Sequence, residues 1–266
     1  MAHNLIDIGA NLAHAGFDED REAMMQRAAN AGVNTMIVTG SSDDSNVTAA
    51  KLASESPGTL FSTAGIHPHH ASDYSDESDA TIRRLIQQDS VVAVGECGLD
   101  YFRNLSPREA QLGAFKRQLD IARDSSMPVF LHQRDAHDDF VAVLTPYLPD
   151  LSRAVTHCFT DDAKSLHEYL ELGLYIGITG WICDERRGKP LYDIVSIIPD
   201  DQLMVETDAP YLMPRTIRPK PKSRRNEPMY LPEVVRVVAE ARGQSEQHVA
   251  EITHANSVRF FDLLSS

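Results

Sequence analysis

Cysteine is scarce in this chain: three residues in 266, Cys97, Cys158 and Cys183, far apart and without paired spacing. A disulfide framework and a structural zinc finger are therefore disfavoured, and a reducing cytosol fits. Long apolar runs are also missing, since none approaches the ~20 residues that a membrane span requires. The opening Met1-Ala2-His3-Asn4 has neither the basic region nor the apolar stretch of a secretory signal. No linker, low-complexity tract or repeat divides the chain. With 42% hydrophobic and 24% charged residues, 1–266 is expected to form a single domain. Positive charge is in deficit, 25 Lys and Arg against 39 Asp and Glu, for a formal net charge of -14. That balance excludes nonspecific adhesion to nucleic acid over the whole surface.

One tract departs from it. Val205-Glu206-Thr207-Asp208-Ala209-Pro210 ends an apolar run in two carboxylates and turns at a proline. Arg215, Arg218, Lys220, Lys222, Arg224 and Arg225 follow, with no acidic residue until Glu227. A carboxylate able to hold a metal thus precedes a basic loop able to hold phosphates. Pro214, Pro219, Pro221 and Pro228 restrict that loop and lower the entropy lost in presenting its charges.

Short apolar runs recur along the chain: Leu5 to Gly9, Thr35 to Gly40, Leu60 to His67, Val91 to Leu99, Pro128 to His132, Ala154 to His157, Leu174 to Gly180 and Leu203 to Asp208. Each is too short for a helix and reads as a strand buried on both faces. Helical signals fill the gaps. Ser106-Pro107-Arg108-Glu109 has the form of a capping box, and Leu112, Phe115, Leu119 and Ala122 follow at helical spacing toward a core. Pro232 opens a later helix that Gly243 closes. About eight strand–helix units in ~250 residues predict an α/β fold, a (β/α)8 TIM barrel. An open doubly wound sheet would want a glycine-rich phosphate turn after the first strand, which Asp7-Ile8-Gly9-Ala10-Asn11 does not supply.

Polar residues stand at the C-terminal ends of these strands: His67, Glu96, His132, His157 and Asp208. Barrel active sites form at that rim. A lone histidine at a strand end is more often a structural hydrogen-bonding residue, but several such groups at successive ends call for another reason. Neutral nitrogens with anionic oxygens suit a divalent cation used for hydrolysis. The phosphate chemistry favours magnesium or manganese, while the histidines favour zinc or manganese. Arg186 and Arg187, after the seventh strand, join Arg224 and Arg225 as candidate phosphate contacts. Tyr101, Phe102, Trp181 and Tyr211 are candidates to stack on an unpaired base. His69 and His70 read as exposed loop residues, and the cysteines as small buried fillers.

The segments Gly65-Ile66-His67-Pro68-His69, Gly95-Glu96-Cys97-Gly98-Leu99-Asp100, Pro128-Val129-Phe130-Leu131-His132, His157-Cys158-Phe159-Thr160, Glu206-Thr207-Asp208-Ala209-Pro210 and Arg224-Arg225-Asn226-Glu227-Pro228 span nearly the whole chain. Together they resemble the TatD family of metal-dependent deoxyribonucleases, in its bacterial branch, among the amidohydrolase-like barrels. The resemblance implies a cation, magnesium foremost, held by Glu96, His132, His157 and Asp208. It further implies 3′-to-5′ exonuclease action on single-stranded DNA and RNA by a cytoplasmic enzyme, with DNA repair as a possible setting. Many members carry a His-x-His pair on the first strand; here those positions are Gly9 and Asn11. One of two metal positions is therefore weakened, with Asp7 or Asn11 as partial replacements, and one well-held ion with a second recruited by substrate is expected. In this scheme Asp208 accepts the proton of the attacking water, and His67 donates to a phosphate or leaving oxygen, alongside Glu96 as a ligand. The alternatives are an amidohydrolase or esterase acting on a small molecule or an aminoacyl-tRNA ester, and a noncatalytic nucleic-acid-binding barrel. A monomer is the default, because a closed barrel buries its own edges.

Overall fold

The computed structural model describes residues 4–263. Eight strands form, each on one of the expected apolar runs: β1 Leu5–Ala10, β2 Val33–Val38, β3 Leu60–Ala64, β4 Val91–Asp100, β5 Val129–Arg134, β6 Ala154–Thr156, β7 Tyr175–Ile178 and β8 Leu203–Val205. They lie in one sheet in the order β1 through β8, and the pairs β3–β4, β4–β5, β5–β6 and β7–β8 are parallel. The chain after β8 returns to β1, where the Asp208 amide donates to the Gly9 carbonyl and the Asn11 amide to that of Ala209. A helix follows each strand: α1 Arg21–Asn30, α2 Asp43–Glu55, α3 Asp76–Leu85, α4 Arg108–Ser125, α5 His137–Leu144, α6 Ala163–Glu171, α7 Lys189–Ile194 and α8 Leu231–Arg242, with α9 Glu246–Phe261 added at the end. This is the (β/α)8 barrel class that the pattern predicts. Among the described residues no helix is long and apolar enough to cross a membrane.

Two compact units can be described within the chain. One comprises the N-terminal segment through Ile37, Cys158–Leu170 and the stretch from Tyr175 onward. The other comprises Val38–His157 with Glu171–Leu174.

In the second unit, α4 positions the strand ends. Phe115, Leu119, Ile121 and Ala122 are buried as its periodicity requires, and Phe115 stacks on Phe140 at 5.5 Å; Leu112, expected in the core, is only half-buried. Two buried glutamines two turns apart, Gln111 and Gln118, share that face. The Gln118 carboxamide accepts from the Ile66 amide at 2.7 Å and donates to the Ile66 carbonyl at 3.0 Å. Gln111 does the same for Asp100, at 2.8 and 3.1 Å. Each clamp satisfies buried backbone groups that would cost roughly 1–3 kcal/mol if left unmade. The expected capping box does not form. Pro107 is the N-cap and makes no side-chain bond, because the Ser106 hydroxyl is used elsewhere, donating to the His69 carbonyl and accepting from the Ser72 amide. At the far end of the chain, α8 carries Pro232 in its first turn and ends at Gly243 in the left-handed conformation, φ +65°, as the sequence predicts.

Candidate metal centre

Glu96 is delivered by a bulge in β4. Gly95 pairs with Phe130 and Cys97 with Leu131, so Glu96 is the extra residue without a register partner on β5. A bulge re-aims the side chain it carries. The two flanking glycines are required: Gly95 and Gly98 have φ of +138° and +144°, and a Cβ on either would collide with a β5 carbonyl oxygen, that of Phe130 or His132. The Gly-Glu-Cys-Gly motif is thus the sequence form of a kinked strand pressed against β5.

Three imidazoles converge on one Glu96 oxygen. Oε1 lies 2.7 Å from His157 Nε2, 3.0 Å from His132 Nδ1 and 3.3 Å from His67 Nε2, and the His132 and His157 nitrogens are 3.4 Å apart. Burial opposes a charge on Glu96, but His157 and His67, with the hydrogen bonds to His132 and His157, outweigh it and hold the carboxyl well below its usual range. Burial likewise opposes charge on His132, and contacts with Asp100 and Glu96 overcome it, so its pKa is raised.

His67 differs from the other two. Its Nδ1 accepts from the His69 amide at 3.1 Å, capping the short helical turn Pro68–Asp73. A neutral imidazole that accepts at Nδ1 carries its proton on Nε2, so the nitrogen facing Glu96 is a donor. Burial lowers the His67 pKa to about 4, which keeps the ring neutral. His67, Glu96 and His132 hold their ligand atoms within 4.8 Å of one another; with His67 Nε2–H as a hydrogen-bond donor, Glu96, His132 and His157 are the candidate ligands in this unit.

That set fits a divalent cation. Ligand atoms at roughly 2.1 Å from an ion are about 3.0 Å apart at octahedral angles and about 3.4 Å at tetrahedral angles. The observed separations of 2.7, 3.0 and 3.4 Å bracket those values. Two imidazole nitrogens and a carboxylate oxygen, buried or half-buried and mutually in contact, form the donor set that such an ion takes.

Sequence reasoning missed Asp100. It is 1% exposed, and its Oδ2 lies 3.3 Å from His132 Nε2 and 2.8 Å from His69 Nε2. A carboxylate on the outer nitrogen of a ligating histidine fixes the ring's tautomer and orientation. The signal was present in Gly-Leu-Asp, the tail of the Glu96 motif. His69, expected to be exposed, is half-buried: it bonds Asp100 and packs edge-on against His67 at 4.2 Å. His70 is exposed, as expected.

The other candidates lie in the first unit. Asp208 follows β8 with φ +54°, and its Oδ1 accepts from Asn11 Nδ2 at 2.9 Å. Asn11 therefore holds a carboxylate. Asp7, the other suggested replacement ligand, is fully buried and spent on backbone: it accepts from the Gly9 and Thr207 amides and from the Thr207 hydroxyl. Burial raises its pKa to about 7. Of the four arginines, two are held by acids. Arg187 pairs with the buried Asp184 at 3.0 Å and lies over Trp181, and Arg225 is clamped by Asp20 and Glu227 at 2.7 and 2.8 Å. Arg186 and Arg224 are exposed and make no ion pair among the described residues. Cys97 and Cys183 are buried fillers, whereas Cys158 is only half-buried and gives its amide to Glu206 at 2.5 Å.

The TatD related DNase family model matches residues 6–262. The chain belongs to the TatD related DNase family. It is 51% identical over 259 residues to the 3'-5' ssDNA/RNA exonuclease TatD of Erwinia billingiae, covering 97% of this chain and 99% of that one. Among solved structures it resembles the TatD homologue YJJV of Escherichia coli K12, with a TM-score of 0.89 and 30% identity over 98% of this chain and 99% of that one. A TatD family hydrolase from Entamoeba histolytica superposes with a TM-score of 0.88 at 25% identity, covering 98% and 99%.

Proposed function

We infer that this TatD family hydrolase is a metal-dependent nuclease that removes nucleotides from the 3′ ends of single-stranded DNA and RNA. The observation that carries the reading is the convergence of His132 and His157 on one oxygen of Glu96, a donor set matched to a divalent cation. The substrate class follows from relatives of about half identity named as 3'-5' ssDNA/RNA exonucleases. Magnesium is the proposed ion, because it binds phosphate oxygens while retaining waters.

A bound divalent cation supplies a lowered water pKa and charge neutralisation at the phosphate. The chain supplies the rest. Glu96, His132 and His157 fix the ion's position, and Asp100 holds the His132 ring in its working orientation. We assign Asp208 the proton of the attacking water, at a carboxylate kept in place by Asn11. His67 Nε2–H donates to a phosphate or leaving oxygen. Arg186 and Arg224, unencumbered by acids, are the assigned backbone contacts after β7 and β8, while Arg187 and Arg225 shape their loops. We read the protein as one cytoplasmic hydrolase domain acting as a monomer.

The test is product analysis on 3′- and 5′-labelled single strands with one added cation at a time. Cleavage should shorten strands from the 3′ end and vanish on chelation and in His132→Ala. Cleavage that persists in the chelated variant would remove the assignment.

A further inference from the structure

Arginines at the strand ends of the first unit are largely consumed by carboxylates: Arg187 and Arg215 by Asp184, and Arg225 by Asp20 and Glu227. Arg134, in the second unit, is not. It is the last residue of β5, two after His132 and in register with Asp100. Side chains two apart on a strand share a face, so Arg134 projects on the side of His132, roughly 6–7 Å further along. Its guanidinium lies over the Phe102 ring, 4.0 Å from the centroid, and it makes no ion pair among the described residues.

Phe102 is 55% exposed. Its neighbour Tyr101 is pinned: the hydroxyl donates to Asp139 at 2.7 Å, Arg108 covers the ring at 4.0 Å, and the amide donates to the Arg134 carbonyl. Phe102 is thus the aromatic of this pair whose ring is left toward solvent, with Arg134 against it. The loop beneath it is tied to the metal centre, because the Arg103 amide donates to Asp100 Oδ1 while Oδ2 of the same carboxylate meets His132. Arg103 is exposed and also makes no ion pair among the described residues. An exposed aromatic ring covered by a guanidinium without an acid partner among the described residues therefore stands on the loop tied to the candidate cation ligands of a strongly acidic protein.

We propose that Phe102 and Arg134 form a nucleotide subsite, Phe102 stacking on an unpaired base next to the scissile bond and Arg134 gripping its phosphate. Aromatic stacking combined with arginine is a sequence-tolerant way to hold single strands. A base already stacked inside a duplex offers no free face, so the subsite selects single strands. This inference rests on the exonuclease reading above and adds to it the residues that recognise the strand.

The experiment compares wild type with Phe102→Ala, Phe102→Trp and Arg134→Ala. Binding is measured by fluorescence anisotropy with a fluorescein-labelled single-stranded DNA oligonucleotide in EDTA, and turnover with magnesium. Phe102→Ala should raise Kd and KM roughly tenfold, with kcat moving far less, and Phe102→Trp should restore both. An abasic site at one position near the 3′ end should weaken wild type by the same factor and erase its advantage over Phe102→Ala. Arg134→Ala should reduce the slope of log K against log salt by roughly 0.7. Phe102 is exposed, so its variants should melt with wild type. The proposal is overturned if Phe102→Ala binds and cleaves as wild type does, or if no abasic position erases the difference. Wild type cleaving normally in that case would leave the exonuclease reading standing; wild type inert on every single strand would remove both.

Discussion

Glu96 and Asp7 are both strand carboxylates shut away from water, and burial pushes each toward the neutral acid, yet they end in opposite states. Glu96 is met by three imidazoles and stays far below its ordinary pKa. Asp7 is met by two amides and a hydroxyl, which lower its pKa without offsetting burial and the nearby Glu206 carboxylate, and it rises to about 7. Dipolar partners set against burial and a like charge leave the carboxyl about half-ionised near pH 7, whereas groups that can carry positive charge keep it anionic. The anionic one is fit to hold a cation. The half-ionised one ties β1 to the chain after β8 and needs no metal.

The comparison can be broken at its centre first. Glu96→Gln keeps the shape and removes the charge, so divalent-ion binding by calorimetry should disappear and cleavage should fall roughly 10⁴-fold, with the fold retained by circular dichroism. Asp208→Asn should lower turnover roughly 10²–10³-fold while calorimetry still detects the first ion; unaltered turnover would mean that Asp208 is not the proton acceptor. Asp100→Asn should weaken metal affinity roughly 10–100-fold and lower the His132 pKa, read by NMR titration of the metal-free protein. An unmoved His132 titration would show that Asp100 does not govern that ring.

The smallest effect is on stability against pH. Asp7 has a folded pKa of about 7 against 3.8 for an ordinary aspartate, so the folded state holds its proton more tightly than the unfolded chain. That contribution is fully present below about pH 4 and is lost as pH rises to about 7. Denaturant titrations should therefore show wild type losing up to a few kcal/mol relative to Asp7→Asn across that window. Glu96 has the opposite sign in the metal-free protein: its contribution is present above about pH 4.5 and is lost as pH falls. A wild-type minus Asp7→Asn difference that stays flat with pH would mean that the two carboxylates do not differ as described.

The barrel could be read from the sequence because fully buried parallel strands need uninterrupted apolar runs, and all eight are short and separate. The boundaries were less legible. β6 and β8 end at Thr156 and Val205, before the candidate site residues, because His157 and Asp208 lie where the chain is leaving the ladder. The candidate ligand histidines were visible as polar residues closing apolar runs. Asp100 was not singled out, since an aspartate at a strand end looks the same whether it faces water or an imidazole. Nor could the sequence tell Arg134 from Arg225: which arginine has an acid partner depends on residues some 200 positions away, as with Asp20 and Arg225. The His67 tautomer likewise depends on one backbone amide, that of His69.

The central claim is that Glu96, His132 and His157 share one divalent cation. Anomalous diffraction from crystals soaked in manganese tests it most directly. A strong peak within coordinating distance of Glu96 Oε1, His132 Nδ1 and His157 Nε2 is the predicted result; manganese bound elsewhere, with those three atoms still in contact only with one another, would contradict it.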